Sequence, residues 1–344
     1  MVIFANDYFY ISVFEKESMF FCGEENCQIT VARTGLPCNK KAYYLQNDKL
    51  CCGTHSSFDL RKNLPERSIK DLIERSDYRT HLKSVIETRN ENLREGITGK
   101  VTLSKMETGK FPRMIPGYFN VFPLYDEGDR EDGFVCSGLS PMYMGPFETN
   151  QPGHLPVQNL ENFRQGNKVF LHNIKQESSV YMLSLWHNRM KFYANKIPHS
   201  QNLQENNKLF YTLLYDLEGN SRTYGIVESR YFYCRMYSEY LLEDISEPLQ
   251  RKDSSVAIIS GKREISKEQF VTLQNLLSNG YNLNICGPDA YDILDTVDEA
   301  YRDVEYPYSQ ERILYTLLTT PPDKYPWENY RKEFPELYSN IVFK

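Results

Sequence analysis

The sequence lacks most of the short signatures that would assign it at sight. It holds no G-x4-G-K-S/T phosphate loop, no G-x-G-x-x-G, no H-E-x-x-H and no G-x-S-x-G. Their absence argues against a P-loop nucleotidase, a dinucleotide-dependent oxidoreductase, a zincin protease and an α/β-hydrolase. No run approaches the roughly 18 apolar residues that cross a bilayer. The opening MVIFANDYFYISVFEKES lacks a basic stretch leading into an apolar one, so neither secretion nor membrane insertion is expected and the expected compartment is intracellular and cytoplasmic. Strong charge of either sign is also missing: the net charge is −6 over 344 residues, which excludes a chain that coats nucleic acid along its whole length.

What is present describes a globular chain. Charged residues make up 25% and apolar ones 40%, a balance that supports a globular chain rather than disorder, and 344 residues suffice for a sizeable core and two units. Tyrosine is abundant at 26 residues, suited to stacking surfaces and equally to ordinary packing with the hydroxyl near the surface. The charge is uneven. Residues 61–115 carry 13 Lys+Arg against 8 Asp+Glu, an excess of five, whereas 116–344 carry 22 against 31. Within the basic segment, Lys100, Lys105, Lys110 and Arg113 face only Glu107. Such a run either contacts phosphate or nucleic acid through Lys100, Lys105 and Lys110 or forms a solvated strand and turn.

Five of the eight cysteines and one histidine fall between residues 22 and 55, as Cys22, Cys27, Cys38, Cys51, Cys52 and His55. Without a secretory signal, such clustering points to a structural zinc site more readily than to disulfides, because thiolates in a reducing compartment are good tetrahedral zinc ligands. Cys27, Cys38, Cys52 and His55 are the expected ligands, with Cys22 as the substitute; free thiols in a small β unit are the plain alternative. The expected class is α+β. A small β-rich zinc-binding unit spans 1–60, with a strand pair at 8–21; a helical and basic bridging segment spans 61–115, with two helices; a mixed α/β globular domain spans 116–344.

The stretch 138–171, GLSPMYMGPFETNQPGHLPVQNLENFRQGNKVFL, is the candidate active site. Its loop of Ser140, Pro141, Gly145, Pro146 and Gly153 suits a chain passing close to a ligand. The spacing then predicts a helix from Leu160 to Ile174 with Asn159 as N-cap. Glu161, Gln165, Lys168 and His172 would share one side of it, and its free N–H groups would face an anion. Further on, Trp186 and Arg189 offer stacking and charge in an imperfectly alternating segment. Glu228 and Arg230 stand at a strand-to-helix junction after the EGNSR turn, a usual place for site residues. A polar loop is expected over 250–269, with a capped helix start at Ser266. Next come a helix closed by Asn-Gly, a buried strand Leu283–Cys286, a Gly-Pro-Asp turn that brings out Asp289, and a helix from Ser309.

LSPMYMGPF followed by LENFRQGNKVF resembles the NADAR superfamily pattern, in which a loop of the type LSNFxPxPF precedes a helix of the type sxEHYxQAxK. Glu161, Gln165 and Lys168 match its Glu, Gln and Lys, and Phe163 its aromatic. FVTLQNLLSNGYNLNICGPDA, residues 270–290, is similar to the later segment of the family. The departures are Asn162 in place of the His after the Glu, Met142 in place of the LSNF phenylalanine, and the missing W-G turn after Asp289. The likeness covers roughly residues 134–295 with a long insertion. With its Cys/His head, the arrangement also resembles proteins encoded by large DNA viruses of eukaryotes, for which the compartment would be host cytoplasm or virion.

The resemblance implies hydrolysis of an N-glycosidic bond in an ADP-ribose-like or nucleotide-like substrate. Glu161 would be the carboxylate, Lys168 the phosphate or leaving-group partner and Gln165 a positioning amide, with Asp289 in reserve. Ser140, Trp186, Arg189, Glu228 and Arg230 would bind substrate. The rival expectation is a non-catalytic viral structural or nucleic-acid-associated protein that self-associates or meets virion proteins.

Overall fold

A computed structural model describes residues 26–38, 40, 44–46, 49–56, 76–106, 114–126, 130, 132–170, 179–198, 209–243, 254–293 and 295–339. The expected strand pair at 8–21, Cys22, the first of the two bridging helices, Lys110, His172 and Ile174 lie outside these residues. The fold is a mixed α+β one, as expected.

The element that organises the body is the strand β9, Asn282–Gly287, every residue of which is buried. It is last in sequence but central in the sheet. Strands β3 (Val101–Lys105) and β4 (Tyr118–Phe122) flank it in parallel, and β5 (Phe134–Val135) continues beyond β4 in the order β3-β9-β4-β5. A strand paired on both sides and covered on both faces has no solvated face. Its apolar Leu283 and Ile285 are accordingly fully buried, and even its polar Asn284 must find partners inside, donating to Asn120 Oδ1 on β4 at 2.9 Å.

The chain enters β9 from helix α5, Ser254–Ser278. Gly280, at φ +83°, turns the corner: its N–H donates to Leu277 O and that of Tyr281 to Leu276 O, the paired bonds that close a helix through a left-handed glycine. The expected loop at 250–269 is thus overturned from residue 254 onward. Ser266 sits within the helix, fully buried, and its hydroxyl donates to Gly138 O at 2.5 Å. The contact to the 138–147 loop, which no local pattern encodes, keeps a polar residue in mid-helix.

A second, antiparallel sheet joins β6 (Lys168–Phe170), β7 (Leu209–Tyr215) and β8 (Ser221–Tyr224), with the expected hairpin turn between the last two. Helix α4, Ile226–Leu242, follows β8 at the junction the sequence marks, with Gly225 as its N-cap. Tyr231, Phe232, Tyr233, Met236, Tyr237 and Tyr240 are all buried, and each large side chain so removed from water contributes roughly 1.5–3 kcal/mol. The segment read as imperfectly alternating is helix α3, Ser179–Ala194. Bridging segment 61–115 contains one described helix, α1, Ser76–Glu95. Toward the C-terminus come α6 (Val297–Arg302), α7 (Gln310–Thr319, starting just after Ser309, close to where a helix is expected) and α8 (Pro326–Glu333). No described helix is long and apolar enough to cross a membrane.

Candidate functional site

The candidate helix is shorter than its spacing predicts. Helix α2 runs only from Leu160 to Gly166, because Asn167 turns its side chain back onto Phe163 O at 2.7 Å and Val169 and Phe170 are claimed by the β7 ladder. Lys168 therefore begins a strand, and the stripe does not continue as helix. The anion site expected at its start is also absent, because the protein occupies each N–H there. Leu160 N–H donates to Met144 O, Glu161 N–H to Pro141 O, Asn162 N–H to Asn159 Oδ1 and Phe163 N–H to Asn159 O. The 138–147 loop thus serves to pin α2, helped by Tyr237 Oη donating to Leu139 O at 2.6 Å.

Shortened as it is, α2 still brings three expected residues together. Gln165 Nε2 donates to Glu161 Oε1 at 2.5 Å, and Lys168 Nζ donates to Gln165 Oε1 at 3.2 Å, so one amide links carboxylate and ammonium. Asp289, in the turn leaving β9, joins the same electrostatic group: burial and nearby Arg164 push the Lys168 ammonium down to about 8, while Glu161 and Asp289 oppose that fall. The site therefore lies at the carboxyl end of the central parallel strand, where open α/β sheets place their ligands. Helix α7 holds the turn in place. Ser309 Oγ donates to Asp289 O at 2.9 Å, and Arg312 donates to Tyr291 O and Asp292 O at 3.0 and 2.9 Å.

Three further residues belong to the group without having been expected there. Arg164 lies 3.7 Å from Glu161 Oε2, with its guanidinium 5.2 Å from the centre of the Tyr233 ring. Tyr233, on α4, is buried, and burial holds its hydroxyl well above the usual phenol range. Glu311, in the first turn of α7, is 1% exposed. Burial pushes its carboxyl up, and it lies so close to Gly287 that a Cβ there would meet Oε1 at 1.9 Å. Arg164 could have been noticed between Glu161 and Gln165, and Glu311 at a helix start. Tyr233 had no distinguishing signal among 26 tyrosines.

A cleft of about 540 Å³ opens beside this group, with Arg164, Lys168, Arg230, Tyr233, Tyr306 and Tyr308 on its wall. Arg230 thus lines this cleft, although its guanidinium also donates to Tyr301 O and to Tyr306 O, the latter at 2.7 Å. Glu161 lies behind the wall, joined to it through Gln165 and Arg164. The remaining expected contacts fall elsewhere. Ser140 is buried and its hydroxyl accepts from Met142 N–H. Arg189 is spent on Leu213 O at 2.8 Å, His154 and the Tyr215 ring, while Trp186 lies against His154. Glu228 turns its carboxylate back toward Gly225. Lys105 donates to Tyr291 Oη at 2.6 Å.

No family model, curated protein or solved structure matches the chain. Its chemistry is therefore read from the side chains themselves.

Near the N-terminus, the ligand atoms of Cys27, Cys38, Cys52 and His55 lie within 4.8 Å of one another, the four residues expected. Cys27 Sγ stands 3.4 Å from His55 Nδ1, Cys52 Sγ 3.6 Å from the same nitrogen, and Cys38 Sγ 3.9 Å from Cys52 Sγ. Thiolates about 2.3 Å from one ion stand about 3.8 Å apart at the corners of a tetrahedron, so this quartet can hold a metal ion. Cys51 is buried beside it, with its thiol on Lys49 O. The hairpin of β1 (Tyr44–Gln46) and β2 (Lys49–Cys51) leads directly into Cys52.

Proposed function

We propose that the cleft binds a nucleotide-like or ADP-ribose-like ligand and hydrolyses its N-glycosidic bond. The observation that carries this reading is the Glu161–Gln165–Lys168 chain set against Asp289, with two carboxylates and a desolvated ammonium at the carboxyl end of β9 beside a cationic cleft. Arg164, Lys168 and Arg230 would hold phosphate. Tyrosines on the same wall would lie along the ring of the base. Cleavage of the bond builds positive charge on the ribose, which a fixed carboxylate stabilises while activating water. Glu161 takes that part, with Asp289 acting on the same Lys168 and Arg164. The Cys27, Cys38, Cys52 and His55 site is read as a structural zinc: four protein ligands leave no open position for chemistry.

A non-catalytic binding protein is the second reading. It is favoured by one observation: the Glu161 side chain is only 10% exposed and already engages Arg164 and Gln165.

Lys168 offers the test. It is protonated below about 8, so affinity for the diphosphate of ADP-ribose should fall as pH rises through that value, well before an ordinary lysine would titrate. Lys168→Arg, which keeps its charge, should remove the fall. Titration calorimetry across this range checks both, and an affinity that is absent or unchanged through pH 8 in the unaltered protein would contradict the reading.

A further inference from the structure

The hydrogen bonds around His154 fix its charge. In the loop 148–158, its Nδ1 stands 3.1 Å from Pro152 O and its Nε2 3.3 Å from Arg189 Nη1. A carbonyl only accepts and a guanidinium only donates, so Nδ1 carries the proton and Nε2 is bare. The neutral imidazole alone makes both bonds. Arg189, on α3, is 1% exposed and donates to Leu213 O at 2.8 Å, which ties the guanidinium down beside the imidazole. The groups facing His154 are Arg189, Trp186 and Tyr193 from α3 and Tyr215 from β7. Among the described residues, no carboxylate acts on either His154 or Arg189. Burial, and then the Arg189 charge, therefore hold the imidazole below its ordinary basicity.

We propose that His154 is an acid-sensitive latch, which holds the 148–158 loop against α3 and β7 while neutral and releases it on taking up a proton at Nε2. The proton comes from solvent. Once it is bound, Arg189 loses its acceptor, and two cations meet at hydrogen-bond distance with no carboxylate between them. Docking is fully favoured above the ordinary histidine value of about 6.5 and is lost as pH falls through the lower value of the docked loop. The same loop carries Gln151, which donates to Tyr193 Oη at 3.0 Å and accepts from Tyr215 N–H at 2.9 Å. Tyr193 Oη donates in turn to Asn167 Oδ1 at 3.1 Å. Release of the loop thus reaches the residue that ends α2 just before Lys168. The latch stands on these contacts and not on the hydrolase reading.

Amide hydrogen exchange of the full chain, corrected for the intrinsic effect of pH, tests the latch. Protection over 148–158 should be present at about pH 7.5 and lost by about pH 5, the range in which a histidine changes charge, with β9 protected throughout. His154→Gln offers an amide oxygen that accepts from Arg189 at either pH. Its loop should stay protected at the lower value. A loop equally protected at both values in the unaltered protein would overturn the inference, as would loss of β9 together with the loop or the same acid loss in the variant. The tautomer gives a check that needs no variant. Nitrogen chemical shifts of His154 near neutral pH should show the proton on Nδ1, and a proton on Nε2 instead would also overturn the inference.

Discussion

Glu161→Gln should cut turnover by about 100-fold or more while leaving ligand affinity nearly intact. The change keeps the size of the side chain, and an amide oxygen can still accept from Gln165 Nε2, now 2.5 Å from Glu161 Oε1. Helix α2 should survive, since its cap is made by Asn159 rather than by Glu161. The lost ion pair to Arg164 is long at 3.7 Å, and the guanidinium partner is 30% exposed, so it contributes at most about 1 kcal/mol to stability. On the proposed reading, what disappears is a negative charge that stabilises a developing oxocarbenium ion, worth on the order of 3 kcal/mol in the transition state. Steady-state kinetics on an N-ribosyl purine nucleotide separates the effects: kcat falls and KM stays. A fall in affinity at unchanged kcat would make Glu161 a binding residue, in line with the non-catalytic reading.

Metal removal should have the larger structural effect, confined to the Cys/His unit. Among the described residues, the buried cluster there consists of Cys27, Cys38 and Cys52, with Ile29 and Val31 partly buried against them. A cluster made of the candidate ligands themselves offsets little of the entropy of ordering the segment, and the ion would supply the difference. Structural zinc binding in comparable small sites is worth about 10–16 kcal/mol near neutral pH. Elemental analysis should give about one zinc per chain. A strong chelator should then abolish amide-exchange protection across the described residues from 26 to 56 while leaving that of β9 unchanged. Cys38→Ser should do the same without chelator. Purified protein free of metal, with the unit still protected, would contradict the zinc assignment.

Local patterns were legible where the chain's own neighbours decide the structure. The Asn159 cap, the Asn-Gly exit from α5, the buried β9 strand, the hairpin before β8 and the Ser309 helix start could all be read from spacing. So could the four residues that gather as a candidate metal site, because thiol and imidazole have few other reasons to cluster. Errors arose where distant contacts overrode periodicity. The α2 pattern carries on past Gly166, but pairing with β7 takes Lys168 into a strand. Ser266 looks like a helix cap until Gly138 O is seen to accept its hydroxyl proton. The candidate site was half legible for the same reason. Glu161, Gln165 and Lys168 lie close in sequence, whereas Tyr233 and Glu311 reach Arg164 only through the packing of α4 and α7 around β9.

The central claim is that a phosphate-bearing nucleoside ligand occupies the cleft beside Glu161, and a crystal structure of the full chain with ADP-ribose tests it most directly. The account predicts the diphosphate against Arg164, Lys168 and Arg230, with the terminal ribose turned toward Glu161 and Tyr233. A ligand bound away from these residues, or a cleft closed by the protein's own side chains with ADP-ribose excluded, would contradict it.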